Sequence, residues 1–162
     1  MPAPDAIQQK LSDLKELAPA GYALAMHVHF TAPTFLFQTY DRRWLDHYSQ
    51  MGFVMTDPIV RWGFENRGYR FWCDFADEDP AGVLQAASDH GLKYGVVTSV
   101  GTEKTFSIGG FARGDRPFSE EEAENLYRST GDVHEMTNNL KVLSPETADA
   151  LRKLSIEVTH PE

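Results

Sequence analysis

The chain has 162 residues, a formal net charge of −9 and a single cysteine. That length suits one domain with a real core, the negative charge argues against nucleic acid as a partner of this chain by itself, and one cysteine cannot close an internal disulfide, which fits a reducing, cytoplasmic setting. No run approaches the ~18 consecutive apolar residues of a membrane span, and the opening MPAPDAIQQKLSDLKEL has neither the basic nor the apolar region of a secretory signal.

Ile7, Leu11, Leu14 and Leu17 recur at helical spacing, so Ala6 to Leu17 is predicted as an amphipathic helix ended by Pro19 to Gly21. Tyr22 to Phe30 alternates as a strand, with Tyr22, Leu24, Met26, Val28 and Phe30 on one face and His27 and His29 on the other. A turn leads to a second strand, Thr34 to Thr39. Asp41 is placed to cap a helix from Arg42 to Met51, closed by Gly52. Asp57 followed by Pro58 opens another helix that ends near Gly68. Tyr69 to Cys73 reads as a short strand and Ala81 to His90 as a helix. Tyr94 to Val100 and Thr105 to Ala112 form a hairpin around Gly101. Ser119 and Glu122 make a capping box for a long helix to about Leu143. A last helix to about Leu154 is expected, then the start of a linker from Ile156 to Glu162. Five strands joined mostly as hairpins, with helices between them, predict an α+β fold. No internal domain boundary is marked.

Several chemistries are absent from the sequence. It contains no P-loop, no G-x-G-x-x-G, no H-E-x-x-H and no G-x-S-x-G, so no enzyme is expected. His27 and His29 lie two apart and share the predicted strand face, but a metal needs a third ligand and none is evident, so no metal is expected. Cys73, beside Trp72, reads as a small buried side chain.

The segment WLDHYSQMGFVMTDPIVRWGF (Trp44 to Phe64) is more informative. Tyr40, Trp44 and Tyr48 are spaced four apart and line one side of a helix. Asp57 follows nine residues later and Trp72 fifteen after that. An ionised carboxylate among aromatic rings is costly unless something hydrogen-bonds to it, and buried Tyr and Trp also want partners. This is more polar equipment than a core needs; it suits an apolar pocket with a few placed polar groups.

The pattern W-x-x-x-Y, then Asp57-Pro58-Ile59-Val60, then Trp72, then ASDHGLKYG (Ala87 to Gly95), resembles the autoinducer-binding domain of LuxR-type quorum-sensing regulators. The resemblance runs from about Thr34 to about Arg113. It implies an α-β-α sandwich with a central five-stranded antiparallel sheet and helices on both faces, binding an N-acyl-homoserine lactone between the sheet and the helices of one face, with no other cofactor. It assigns the lactone carbonyl to the Trp44 indole, the ligand amide to Asp57, the acyl carbonyl to Tyr48, and packing on the lactone ring to Trp72. Tyr40, Phe35, Val83, Leu84, Ala87 and Leu92 are expected to line the remainder. A Ser or Thr common on the family's last strand falls at Gly109 or Gly110 here, so Gly110 joins the expected lining and Ser107, Thr98 or water is expected to serve the acyl-carbonyl end. Asp57, on this reading, holds one amide N–H.

The resemblance also implies a helix-turn-helix domain that contacts DNA and would follow residue 162, so the chain is expected to be an excised ligand-binding half; a natural short form that pairs with and blocks full-length regulators is the alternative. A sensor of PAS or GAF type for another small apolar ligand stays open. A homodimer is expected through the stripe Ala123, Leu126, Val133, Met136 and Leu140, the competing possibility being that this stripe is intramolecular.

Overall fold

The computed structural model describes residues 4–29 and 32–138, with the side chains of 6–28 and 33–138. Its strands are β1 (Gly21–His29), β2 (Ala32–Gln38), β3 (Gly68–Phe71), β4 (Tyr94–Gly101) and β5 (Phe106–Arg113). They form one antiparallel sheet in the order β2-β1-β5-β4-β3. The helices are α1 (Pro4–Leu17), α2 (Arg42–Gln50), α3 (Pro58–Glu65), α4 (Val83–Asp89) and α5 (Glu120–Met136), with 3₁₀ segments at Phe53–Met55 and Trp72–Glu78. The architecture is the expected α-β-α sandwich.

Each sheet face carries its own core. On one, Ile7, Leu11 and Leu14 of α1 and Ala123, Leu126 and Val133 of α5 pack on Tyr22, Leu24, Met26, Phe37, Val96 and Phe111. On the other, the segment from Trp44 to Leu92 packs on Val28, Val97, Phe106, Ile108 and Ala112. The stripe on α5 is therefore spent on this sheet and does not face a second copy. Leu140 lies outside the described residues. The capping box at Ser119 forms as expected: Ser119 Oγ accepts from the Glu122 N–H, and the Glu122 carboxylate accepts from the Ser119 N–H.

Three expectations need correction. First, β1 does not keep one alternation. Its pairing with β5 slips between Ala25 and Val28, so Met26 and His27 together oppose Ser107. His27 takes a positive φ of 51° at this bulge. The slip sends Val28 to the second core and turns His27 toward α5. The His29 side chain and Phe30 lie outside the described residues.

Second, α5 ends at Met136 rather than near Leu143. Thr137 Oγ1 donates to the Val133 carbonyl (2.8 Å), which competes with continuing the helix. The expected helix to Leu154 and the linker lie outside the described residues. Third, β3 stops at Phe71, and the chain turns at once into the 3₁₀ segment. This buries Trp72 and Phe75 and leaves Cys73 exposed.

The bulge seeds a polar seam under α5. His27 Nε2 donates to the His134 carbonyl (3.0 Å) and lies 2.9 Å from Thr137 Oγ1. The His27 N–H donates to Ser107 Oγ (2.9 Å), which lies 2.7 Å from His134 Nδ1. The two imidazoles stack at 4.2 Å. Among the described residues, no three His, Cys, Asp or Glu side chains group as a metal site would require.

Two predictions follow from this packing. Leu126 is fully buried, so Leu126→Ala should destabilise the domain by about 2–5 kcal/mol in urea titrations. Burial holds His134 below its ordinary value of 6.5, with the Glu135 charge opposing. The unfolded chain then takes the proton first, so the His134 contribution is fully present above 6.5 and is lost as pH falls below it. Urea midpoints at pH 7.5, 6.5 and 5.5 should decline more steeply for the wild type than for His134→Gln.

Candidate functional site

Local sequence rules set the frame of the layer beneath α2, α3 and α4. Asp41 Oδ1 accepts from the Arg43 N–H (2.8 Å) and starts α2. Trp44 and Tyr48 then fall on its inner side, while Tyr40, expected on the same helix, lies just before the cap. Gly52, at φ 63°, reverses the chain into the 3₁₀ turn. Asp57 is the N-cap of α3, with Pro58 in the first turn.

The Asp57 carboxylate works in two directions. Its Oδ1 accepts from the Ile59 N–H (2.9 Å) and its Oδ2 from the Tyr48 hydroxyl (2.7 Å). One side chain thus caps α3 and ties it to α2. Burial pushes the Asp57 carboxyl above its ordinary value, while Tyr48 and the backbone N–H groups of Ile59 and Val60 pull it back. Burial likewise raises Tyr48 and Tyr40, and the Asp57 charge adds to both.

At its other end α3 is held against the sheet. A side chain at Gly63 would meet Ile108 at 2.8 Å. Ser99 Oγ donates to the Gly63 carbonyl (2.8 Å), and Arg67 donates to the carbonyls of Gly63 and Thr102 (both 3.1 Å). The Arg67 guanidinium also lies 4.3 Å from the centre of the Phe106 ring. Across the layer, α4 is capped by Asp79, whose two carboxylate oxygens accept from the N–H groups of Val83 and Leu84 (2.8 Å each). The His90 ring, beyond α4, lies 5.3 Å from that of Trp44 and stacks with that of His47 at 5.2 Å.

Trp72 forms the floor. Its indole lies against β4 at Gly95, where a Cβ would sit 2.0 Å from Trp72 Cδ2. Trp72 is only 9% exposed, and its Nε1–H is buried without a hydrogen-bond partner. Beside it, Gly110 leaves a notch. A Cβ there would sit 3.3 Å from the Tyr40 hydroxyl and 4.0 Å from Trp72 Cζ2. The Tyr40 hydroxyl donates to the Gly110 carbonyl (3.1 Å).

Ten of the eleven residues expected at the site come to this layer: Trp44, Tyr48, Asp57, Trp72, Tyr40, Val83, Leu84, Ala87, Leu92 and Gly110. Phe35 does not. It pairs with Met26, and cross-strand partners share a face, so it packs in the core under α1 and α5. Leu36, opposite Ala25, takes the position on the layer side. The choice between the two glycines is also resolved, because a side chain at Gly109 would meet Thr98 and Phe111 on the far face. Ser107 and Thr98 face away as well: Ser107 is engaged by His27 and His134, and Thr98 bonds Thr130 of α5 at 2.8 Å. Neither serves this layer. The anchors Asp79, Ser99 and Arg67 carry no signal in their local spacing, since their partners are set by tertiary contact.

A buried, partnerless N–H beside a bare glycine, in an aromatic layer that also holds a carboxylate, fits a small, largely apolar molecule with polar atoms at one end. Two open clefts, of about 560 and 500 Å³, lie elsewhere, along α5 and beside Arg67. Neither is lined by Trp44, Asp57 or Trp72.

Residues 16–133 match the family model of the autoinducer binding domain. The chain belongs to that family, the ligand-binding domain of LuxR-type regulators. It is 30% identical over 130 residues to the transcriptional activator protein SolR of Ralstonia nicotianae, covering 76% of this chain and 55% of SolR. The chain thus spans about half the length of that relative. Two solved structures share the fold. One is the N-acylhomoserine lactone dependent LuxR family factor CepR2 from Burkholderia cenocepacia, with a TM-score of 0.63, 16% identity and coverage of 85% of each chain. The other is Escherichia coli SdiA, with a TM-score of 0.63 and 21% identity over 90% of this chain and 66% of that one.

In this autoinducer-binding domain the contact between Gly95 and Trp72 leaves no room for a side chain. Gly95→Ala should cost about 1–3 kcal/mol of stability and shift the tryptophan emission by displacing the indole. Urea denaturation and a fluorescence spectrum check it; a variant with wild-type stability and emission would rule the contact out.

Proposed function

We propose that the domain senses an N-acyl-homoserine lactone, and that Asp57 receives the ligand's amide N–H. The observation that carries this reading is the half-buried Asp57 carboxylate: its oxygens accept from the Tyr48 hydroxyl and the Ile59 N–H, yet a carboxylate has capacity for about four hydrogen bonds. Such a group accepts a further N–H at little cost, and a hydrogen bond to a charged group contributes about 1.5–3 kcal/mol. Trp44, Tyr40, Leu84 and Leu92 supply apolar surface for an acyl chain, at about 0.8 kcal/mol per buried CH₂. Tyr48, whose hydroxyl goes to Asp57, acts by orienting that carboxylate, in place of the direct acyl-carbonyl contact that the family resemblance implies. CepR2, a relative in fold, is lactone dependent, which supports the same ligand class.

SdiA in complex with octanoyl-rac-glycerol raises a second reading, an acylglycerol ligand. Its hydroxyl groups offer Asp57 a donor without an amide. On either reading the domain is a cytoplasmic, non-enzymatic sensor within a transcriptional regulator. A domain of net charge −9 repels phosphate, so this domain by itself is not the part that would contact DNA. Any homodimer uses a surface other than the buried face of α5.

Titration with acyl-homoserine lactones of graded chain length, followed by tryptophan fluorescence and melting temperature, tests the proposal. Octanoylglycerol is the competing probe. Ligand at 100-fold above Kd should stabilise the domain by about 2.7 kcal/mol. A melting temperature insensitive to every lactone would reject the assignment.

Asp57→Asn separates binding from folding. Because burial raises the folded-state pKa of Asp57, its contribution to stability is full below its ordinary value of 3.8 and is lost as pH rises through the raised one. At neutral pH the charge is a burden on the ligand-free protein, and Asn is an equally good N-cap. The variant should melt at or above the wild-type temperature without ligand, yet bind lactone about ten-fold to a hundred-fold more weakly. Calorimetry with and without ligand checks both halves.

A further inference from the structure

A molecule held in this layer has to enter it, and the joints around the layer differ in strength. The joint between α2 and α3 is a charge-assisted hydrogen bond, from the Tyr48 hydroxyl to the Asp57 carboxylate. The joint between α3 and the sheet is made by Ser99 and Arg67 at the Gly63 carbonyl. No such bond holds α4. Among the described residues, every hydrogen bond of α4 stays within the segment from Asp79 to Leu92. The helix has seven residues. It is flanked by Gly82 (φ 72°) and Gly91 (φ 87°), element ends of the kind that absorb a hinge motion.

What ties α4 to α2 is a pair of rings. His90, at the C-terminal end of α4, stacks on His47 of α2 at 5.2 Å and 24°. His90 Nδ1 donates to the Ala86 carbonyl (2.9 Å), which orients the ring from within its own helix. Neither imidazole hydrogen-bonds across the seam, and ring stacking is a weaker joint than a charge-assisted hydrogen bond. Trp44 lies 5.3 Å from His90 and 6.3 Å from His47 and is only 5% exposed. His90 is exposed and His47 half-buried, so the two imidazoles close the layer over Trp44. The turn after α2 continues this rim. Phe53 packs edge-on to His47 at 5.5 Å, while Met51, Val54 and Met55 stand exposed. An apolar molecule meets apolar surface there before it reaches the seam.

We propose that α4 is the lid of the ligand layer and that the His47–His90 stack is its latch. The Tyr48–Asp57 bond keeps α2 in place while α4 lifts between its two glycines. A lid stands on the path in both directions, so releasing the latch speeds entry and exit alike and leaves the affinity unchanged. His47 and His90 are gating residues on this view and make no contact with the seated molecule. The inference rests on the lactone reading of this layer and adds the route by which the layer is filled.

Stopped-flow tryptophan fluorescence of the wild-type chain gives association and dissociation rates, with octanoyl-homoserine lactone as one probe and octanoylglycerol as the other. In His90→Ala and in His47→Ala both rates should rise about three-fold to ten-fold, with Kd held within about two-fold. The double variant should be no faster than the faster single one, since either change breaks the same stack. His90 is exposed, so His90→Ala reports even if urea midpoints show that His47→Ala folds poorly. Wild-type rates in the folded variants, or a faster exit with a matching loss of affinity, would overturn the lid while leaving the lactone reading intact. If only octanoylglycerol binds, the lactone reading falls and the same rates judge the lid. Failure of both probes to bind the wild type would overturn both.

Discussion

A carboxylate held inside an aromatic layer is the constraint on which this domain's second face is organised. Asp57 lies between two helices and serves both, as the cap of α3 and as the acceptor for Tyr48 of α2. Its burial has a free-energy cost, and that cost is tolerable only because α3 cannot drift. Gly63 seats the helix on Ile108, while Ser99 and Arg67 hold the Gly63 carbonyl at the helix's far end. A helix pinned at one end by the sheet presents its cap at the other with little freedom. The carboxylate's position is thereby inherited from β4 and β5 as well as from the loop that carries it.

The features legible in the sequence are those whose partners lie within a few residues. The caps at Asp41, Asp57 and Ser119 could all be read, because a cap bonds to backbone two or three positions away. The spacing from Trp44 through Trp72 placed four residues of the candidate layer, and the family resemblance named six more that the structure brings there. Errors arose where a distant partner decided the outcome. The bulge at Met26 and His27 is set by the match of β1 to Ser107, and strict alternation cannot reveal it. Phe35 and Leu36 are adjacent apolar residues in a strand, and only the register with Met26 and Ala25 says which faces the layer. Cys73 was misread for a related reason: the strand breaks at Trp72 so that the indole can lie over Gly95, a contact made across 23 residues of chain. The stripe on α5 was correctly seen as apolar, but its target could be assigned only once the sheet was in place.

The two cores differ in character. Under α1 and α5, the buried polar groups satisfy one another: Thr98 meets Thr130, Ser107 meets His27 and His134, and Thr137 closes the helix end. Under α2 to α4, two buried donors are left over, Trp72 Nε1 and Arg67 Nε. A finished core and an unfinished one share a single sheet.

That division has a mechanical consequence. A molecule seated among α2, α3 and α4 has β1, β4 and β5 between it and α5. It touches nothing on the α5 side, so any message it sends there must pass as a flexing of the strands, much as a diaphragm carries pressure between two chambers. At the β1 bulge, neighbouring residues face opposite chambers: Val28 lies in one and His27, clasped to the end of α5, in the other. A change in twist at that point would be felt on both sides at once.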